Sequence, residues 1–124
     1  MEKNVVLNNV WAEFYGEPVN MDGIEGTNTA LFFHSDSTIK NCKGSLSIYL
    51  YEDTSMSIDN SEIGAFRIDQ GSSLAITNST ISGVVILPEV NNLNVDNSTF
   101  LAGICIAGGK PKFTNCEFVG SVLL

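Results

Sequence analysis

The sequence predicts an all-β fold in which the chain winds as a solenoid, because three patterns recur together along it. A segment of the form apolar-x-apolar-x-Asn-Ser/Cys-x-apolar occurs five times at a nearly constant step. Apolar and polar residues alternate in each segment, which is typical of strands with one buried face. A glycine and a second apolar strand follow each segment. Since one such unit cannot bury its apolar side chains alone, we expect stacked units to share one continuous core.

The recurring asparagines are predicted to form a ladder at one corner of the coils. Asparagine tolerates the left-handed backbone that a sharp corner needs, and stacked side-chain amides can hydrogen-bond from coil to coil. Gly23, which stands one coil length before the first of them, can adopt the same backbone. The ladder residues are Asn41, Asn60, Asn78, Asn97 and Asn115.

With these segments, from about Gly23 to Leu124, the chain resembles the right-handed parallel β-helix of the pectate-lyase-like superfamily, whose coils carry such an asparagine ladder. We therefore expect a single-stranded right-handed parallel β-helix of about six coils, each of about 18–19 residues. A left-handed β-helix is the rival fold, but its short motif recurs three times per coil, whereas one corner per coil carries asparagine here. The resemblance concerns the fold and says little about activity, because a solenoid hosts many functions.

The whole chain, residues 1–124, is expected to form a single β-solenoid domain. Residues 1–36 are predicted to be an irregular N-terminal cap with incomplete first coils, in which Trp11, Phe14 and Tyr15 cover the stack. Residues 37–124 are predicted to form the regular coils.

The composition excludes several classes of protein. Fourteen acidic residues against six Lys and Arg give a formal net charge of -8, so direct binding of nucleic acid, which needs a basic footprint, is not expected. The longest aliphatic run covers only residues 84–87, and we expect no contact with membranes. Three cysteines without metal-ligand spacing favour a reducing compartment, the cytoplasm of a bacterial or other host cell. No metal or other cofactor is expected.

The alternation predicts which side chains face the core and which face outward. Leu74, Ile76, Ser79, Ile81, Val84 and Ile86 are predicted to point inward in the most regular coil. Apolar residues in outward positions of the third strand and at the C-terminus predict self-association, with a homodimer formed through the C-terminal coil. A covering loop, a fraying terminal strand or a longer parent solenoid are the alternatives. The predicted self-association residues are Val85, Leu87, Cys105, Val122, Leu123 and Leu124.

Acidic residues concentrate in the first part of the chain. Residues 1–69 hold eleven acids and four bases, whereas residues 70–124 hold three acids and two bases. We expect an acidic face that binds a partner, although surplus acid can also serve only to keep a rod soluble. The residues predicted for this face are Glu13, Glu17, Asp22, Glu25, Asp36, Glu52, Asp53, Asp59, Glu62 and Asp69.

No catalytic site is predicted. Arg67 and Asp69 are the only charged pair on the outward third strand, which is not the set of carboxylates and base that a uronate lyase needs. The spacing of Asp59 and Glu62 does not distinguish a glycosidase pair from an acidic surface. The run at residues 33–36 contains His, Ser and Asp, but a triad is defined by geometry and not by such a run. We therefore expect a protein that is not an enzyme.

The leading functional hypothesis is an acidic solenoid that binds a protein partner with a basic surface. A specific form is a phage or mobile-element inhibitor of the anti-CRISPR or anti-restriction type, which acts as a DNA mimic and blocks a nucleic-acid-binding surface. One alternative is a carbohydrate-binding or tail/surface structural module in which Trp11, Tyr49 and Tyr51 stack on sugars. Another alternative is a self-assembling scaffold protein.

Overall fold

The computed structural model describes residues 5–88, 90–107 and 110–123. Within these ranges the chain forms eighteen strands and no helix, so it contains no helix that is long and apolar enough to cross a membrane. In chain order the strands are β1 (Val6–Asn8), β2 (Trp11–Phe14), β3 (Val19–Asp22), β4 (Glu25–Phe33), β5 (Ser37–Lys40), β6 (Lys43–Leu50), β7 (Ser55–Asp59), β8 (Glu62–Ile63), β9 (Ala65–Ile68), β10 (Ser73–Thr77), β11 (Thr80–Ile81), β12 (Val85–Pro88), β13 (Asn92–Asp96), β14 (Thr99–Phe100), β15 (Ile104–Ala107), β16 (Pro111–Thr114), β17 (Glu117–Phe118) and β18 (Val122–Leu123).

The strands stack into three parallel sheets, which confirms the all-β solenoid of about six turns. Sheet A has eight strands in the order β1-β4-β6-β9-β12-β15-β18, and β2 also pairs with β4. Sheet B has the order β16-β13-β10-β7-β5-β3, and sheet C has the order β17-β14-β11-β8. The segment predicted as a cap and incomplete first coils contributes strands β1 to β4 to sheets A and B in the same parallel arrangement.

The core is a continuous column of aliphatic and aromatic side chains. In sheet B, Ile76 lies between Ile58 and Val95 of the neighbouring coils, and all three are buried. In sheet C, Ile81 lies between Ile63 and Phe100 in the same way. Equivalent positions therefore stack along the solenoid axis, as the period-two alternation predicts, and each coil shields the side chains of the next.

In strand β12, the side chains that face the core are not those that the sequence predicts. Val85 and Leu87 are each 1% exposed, whereas Val84 and Ile86 are 53% and 47% exposed. The prediction that Val85 and Leu87 face outward and take part in self-association is therefore wrong, as is the inward placement of Val84 and Ile86. The run from residue 84 to 87 contains no polar side chain to fix its phase, and a slip of one residue exchanges the two faces of a strand. The register decides it, because Val85 pairs with buried Phe66.

The predicted asparagines all occupy the left-handed corner. Asn41, Asn60, Asn78, Asn97 and Asn115 have φ between 49° and 56°. The amides of the first four form a ladder with a constant step, since each Nδ2 donates to a side-chain oxygen 19 residues earlier: Asn60 to Asn41, and Asn97 to Asn78. Where the repeat is one residue shorter, the acceptor is a carboxylate. Asn41 donates to Asp22 Oδ1 at 2.9 Å, and Asn78 donates to Asp59 Oδ1 at 3.1 Å.

Buried hydroxyls form a second ladder next to the asparagines. Ser61 Oγ accepts a hydrogen bond from the Cys42 backbone N–H at 3.1 Å and donates to the Asp59 carbonyl at 2.9 Å. Ser79 and Ser98 repeat both bonds one and two coils further on. Each hydroxyl therefore gives a buried backbone N–H of the preceding coil its acceptor, and it donates to a carbonyl that also accepts a backbone N–H at the asparagine corner.

We expect Ser79→Ala to lower the free energy of unfolding by about 1–3 kcal/mol, because it leaves the buried Ser61 N–H without an acceptor. Ser57→Ala, on the exposed face of β7, is the matched control and is expected to change stability by less than about 0.5 kcal/mol. Urea unfolding followed by circular dichroism measures both. Equal stabilities for the two variants would contradict the role given to the hydroxyl ladder.

The corrected phase of β12 can be tested by a pair of adjacent substitutions. Leu87→Ala is expected to lower the free energy of unfolding by about 2–5 kcal/mol, because it opens a cavity in the core. Ile86→Ala, at a half-exposed outward position, is expected to lower it by less than about 1 kcal/mol. The opposite ranking in a thermal or urea unfolding experiment would restore the phase expected from the sequence.

Candidate functional site

The outer face of sheet A carries aromatic rings from three successive coils. Phe32 pairs in register with Tyr49, and Tyr49 with Arg67, so their side chains form one outward column. A second outward column lies two residues further along the strands. We call the rings of these columns, together with the carboxylates of Glu13 and Asp69, the aromatic–acidic face, which consists of Glu13, Tyr15, Phe32, His34, Tyr49, Tyr51 and Asp69.

His34 lies between two tyrosine rings in the second column. Its ring centroid is 4.1 Å from that of Tyr15 and 3.7 Å from that of Tyr51, and both ring pairs are within 16° of parallel. Tyr15, at the N-terminal end of this stack, is 66% exposed. Since the rings stack along the solenoid axis, they cover each other's faces and turn their edges toward solvent.

Glu13 contacts both Tyr15, at the end of this stack, and His34, in its middle. Its Oε2 accepts a hydrogen bond from the Tyr15 hydroxyl at 3.1 Å, and this bond, followed by desolvation, raises the pKa of Tyr15 above its usual value. Its Oε1 lies 3.9 Å from Nε2 of His34. That nitrogen is buried and has no hydrogen-bond partner among the described residues. The carboxylate is therefore held over the stacked rings at the surface.

Tyr49 has both ring faces covered. Phe32 stacks on one side at a centroid distance of 5.6 Å, and the guanidinium carbon of Arg67 lies 5.5 Å from the ring centroid. Its hydroxyl donates to Asp69 Oδ1 at 3.3 Å. Burial, followed by the charge of Asp69, raises the pKa of Tyr49. Asp69, two residues after Arg67, is thus a second carboxylate held by a tyrosine hydroxyl.

The predicted acidic residues divide between different corners of the solenoid. Six lie near the C-terminal ends of the sheet A strands or in the turns that lead from there to sheet B: Glu13, Glu17, Asp36, Glu52, Asp53 and Asp69. The other four lie at the asparagine corner, on sheet C, or at the start of β4: Asp22, Asp59, Glu62 and Glu25. The structure therefore brings together six of the ten predicted residues and not all of them.

Several of these carboxylates hold the fold together as well. Asp22 and Asp59 are acceptors in the asparagine ladder, and Asp59 also accepts from the Thr77 hydroxyl at 2.9 Å. Asp36 Oδ1 accepts from the Ser55 backbone N–H at 2.9 Å, which ties the turn after β4 to the next coil. Within the described ranges, the hydrogen bonds that Glu13 and Asp69 accept on their side chains come from tyrosine hydroxyls of the aromatic–acidic face, and each carboxylate has further lone pairs for a partner.

The candidates for catalysis are not brought together. Ser35 points into the core, where its Oγ donates to the Glu17 carbonyl, whereas adjacent His34 points outward. Asp36 is bound to the Ser55 backbone, so the residues of this run do not form a nucleophile–base arrangement. In the part of the chain that the structure describes, no three His, Cys, Asp or Glu residues are placed to hold a metal ion.

The remaining self-association residues lie at the C-terminal half of sheet A. Ile86, Cys105 and Leu123 continue the outward column that begins with Phe32. Val122 pairs with buried Ile104 and is 41% exposed, and Leu123 is 64% exposed. Leu124 lies outside the described residues. Self-association through this surface stays a prediction.

Comparisons of the chain with protein-family models, with curated protein sequences and with solved structures found no match.

The three free cysteines are expected to differ strongly in reactivity. Cys105, which is exposed, should react with Ellman's reagent in the folded protein. Cys42 lies in the hydroxyl ladder, and burial raises its pKa, so little thiolate forms and it should react only on unfolding. Time courses of thionitrobenzoate release, with Cys105→Ser as control, measure this. A fast phase that persists when both Cys105 and the partly buried Cys116 are replaced by serine would contradict the assignment.

Proposed function

We propose that the chain is a non-enzymatic acidic β-solenoid that binds a protein partner with a basic surface through the aromatic–acidic face. The observation that carries the proposal is the pair of ring stacks whose tyrosine hydroxyls hold Glu13 and Asp69 at the surface. Tyrosine and tryptophan are enriched in protein interfaces, and the residues that dominate their binding energy are often aromatic. The net charge of -8 selects for a partner of opposite sign and accelerates association with it.

The stacking geometry favours a protein partner over sugar at this face. A sugar ring packs against an open aromatic face, but the faces of Tyr49 lie against Phe32 and Arg67. One face of Tyr51 lies against His34 at 3.7 Å. Besides the Arg67 guanidinium, the columns offer ring edges, tyrosine hydroxyls and the carboxylates of Glu13 and Asp69, and these carboxylates are the groups that attract cations. Such a surface suits the lysine and arginine side chains of a protein.

The partner class that we favour is a protein whose basic groove otherwise holds nucleic acid. Six carboxylates on sheet A and its turn to sheet B would then occupy the sites of phosphates, as in an inhibitor of the anti-CRISPR or anti-restriction type. The proposal takes the solenoid to be right-handed and similar in fold to pectate-lyase-like proteins, with a binding surface in place of their chemistry. Self-association as a homodimer is compatible with it, because the C-terminal half of sheet A lies outside the aromatic–acidic face.

The test is a capture experiment with charge-reversed variants. The tagged chain is incubated with nuclease-treated bacterial lysate at low and high salt, and the recovered proteins are identified by mass spectrometry. We expect a basic, nucleic-acid-handling protein that is released by salt. Glu13→Lys combined with Asp69→Lys is expected to weaken its binding by about tenfold or more, as measured by calorimetry with the purified partner.

The matched control is Glu62→Lys combined with Glu117→Lys, which makes the same change in net charge on the exposed face of sheet C. It is expected to retain most of the affinity. Equal losses in the two double variants would mean that net charge and not this face determines binding. Recovery of no basic protein would contradict the proposal as a whole.

A further inference from the structure

A polar pocket lies beside the aromatic–acidic face on the outer side of β2, β4 and β6. Its volume is about 280 Å³, which is near the lower end of the roughly 300–1,000 Å³ of small-molecule sites. Among the residues that the structure describes, no charged side chain lines it. The lining residues are Asn9, Val10, Trp11, Asn28, Thr29, Ala30, Ser45 and Ser47.

Trp11 forms an open aromatic wall of this pocket. It is 74% exposed, and its ring contacts Phe32 in a tilted arrangement at a centroid distance of 5.3 Å. In contrast to Tyr49, it therefore keeps most of its indole surface free for a ligand. An indole face packs well on the C–H groups of a flat apolar surface, and its N–H can donate a hydrogen bond.

Two asparagines of the pocket share the left-handed backbone and the 19-residue amide hydrogen bond of the asparagine ladder, and one of them lies inside a strand. Asn9 and Asn28 have φ of 55° and 47°, and Asn28 lies inside strand β4, where the register shifts between Gly26 and Thr29. A left-handed residue within a strand is unfavourable, and bulges often turn a side chain toward a functional site. Asn28 Nδ2 donates to Asn9 Oδ1 at 2.8 Å, which fixes both amides. This bond still leaves Asn28 an amide oxygen and Asn9 an amide NH2 group.

We infer that this pocket binds one residue of a neutral glycan. An uncharged pyranose has an apolar C–H face that suits Trp11 and vicinal hydroxyls that both donate and accept hydrogen bonds. The amides of Asn9 and Asn28 and the hydroxyls of Ser45 and Ser47 supply the matching donors and acceptors. The lack of charge in the lining disfavours uronates and phosphates. The site is separate from the one proposed for a protein partner, because it uses neither Glu13 nor Asp69.

The test is affinity electrophoresis in native gels that contain a neutral or an acidic polysaccharide. The neutral probes are hydroxyethyl cellulose, laminarin and soluble starch, and polygalacturonate is the acidic one. We expect at least one neutral probe to retard the wild-type chain to the same degree at low and high salt. Polygalacturonate is expected to leave its mobility unchanged.

Two substitutions should abolish this retardation and one should not. Trp11→Ala removes the aromatic wall, and Asn28→Gly removes one amide while it keeps a left-handed backbone accessible. Each is expected to weaken the retardation at least about tenfold, the effect of losing a well-placed polar or stacking contact. Tyr15→Ala, which removes another exposed ring of the same end, is the control and should behave as wild type. Thermal unfolding of all three variants checks that they remain folded.

Three outcomes would overturn the inference. They are mobility that none of the three neutral polysaccharides changes, retardation that survives in both Trp11→Ala and Asn28→Gly, and an equal loss in Tyr15→Ala, which would indicate general aromatic adhesion. Glu13→Lys combined with Asp69→Lys should leave the retardation intact. The result is thereby independent of the outcome for the protein partner.

Discussion

The structure depends on the parallel pairing of each strand with the strand one coil further along the chain. This pairing places equivalent residues of successive coils directly above each other, at the spacing of about 4.8 Å that hydrogen-bonded strands keep. Every column of the molecule, whether aliphatic, hydroxyl, amide or aromatic, is a consequence of it. A side chain in a solenoid is therefore in contact with residues that lie one coil away in sequence. The side chains that determine the chemistry of the solenoid surface are arranged in columns along the axis.

The corners are where this pairing is interrupted and where polar side chains replace the backbone. At the asparagine corner the amides of Asn41, Asn60, Asn78 and Asn97 each reach 19 residues back, and an aspartate supplies the acceptor when the coil is one residue shorter than that. At the glycine corner the coils approach so closely that a Cβ on Gly83 would collide with the Gly64 carbonyl oxygen. Variation in coil length is thus absorbed by the choice of corner residue, while the sheets keep their register.

Most of the fold follows from the sequence because its determinants are local and repeated. Leu74, Ile76 and Ile81 alternate with polar residues, and the burial of each is predictable. The buried face of strand β12 is not predictable in this way. Its four consecutive aliphatic residues are compatible with burial of either face, and the pairing of Val85 with Phe66 selects one.

The ring stacks are predictable in principle but were missed. Tyr15, His34 and Tyr51 follow one another at intervals close to one coil length, but Tyr15 and His34 both fall in residues 1–36, for which the sequence predicts an irregular cap. The pocket next to Trp11 could not be foreseen, because it depends on a bulge and on Asn28, which lies outside the regular repeat.

Trp11 is the single tryptophan of the chain, so tryptophan fluorescence comes from one position in the fold. Trp11 contacts Phe32 and is largely exposed to solvent. Its fluorescence therefore reports on the first coils and does not respond to changes in the C-terminal coils.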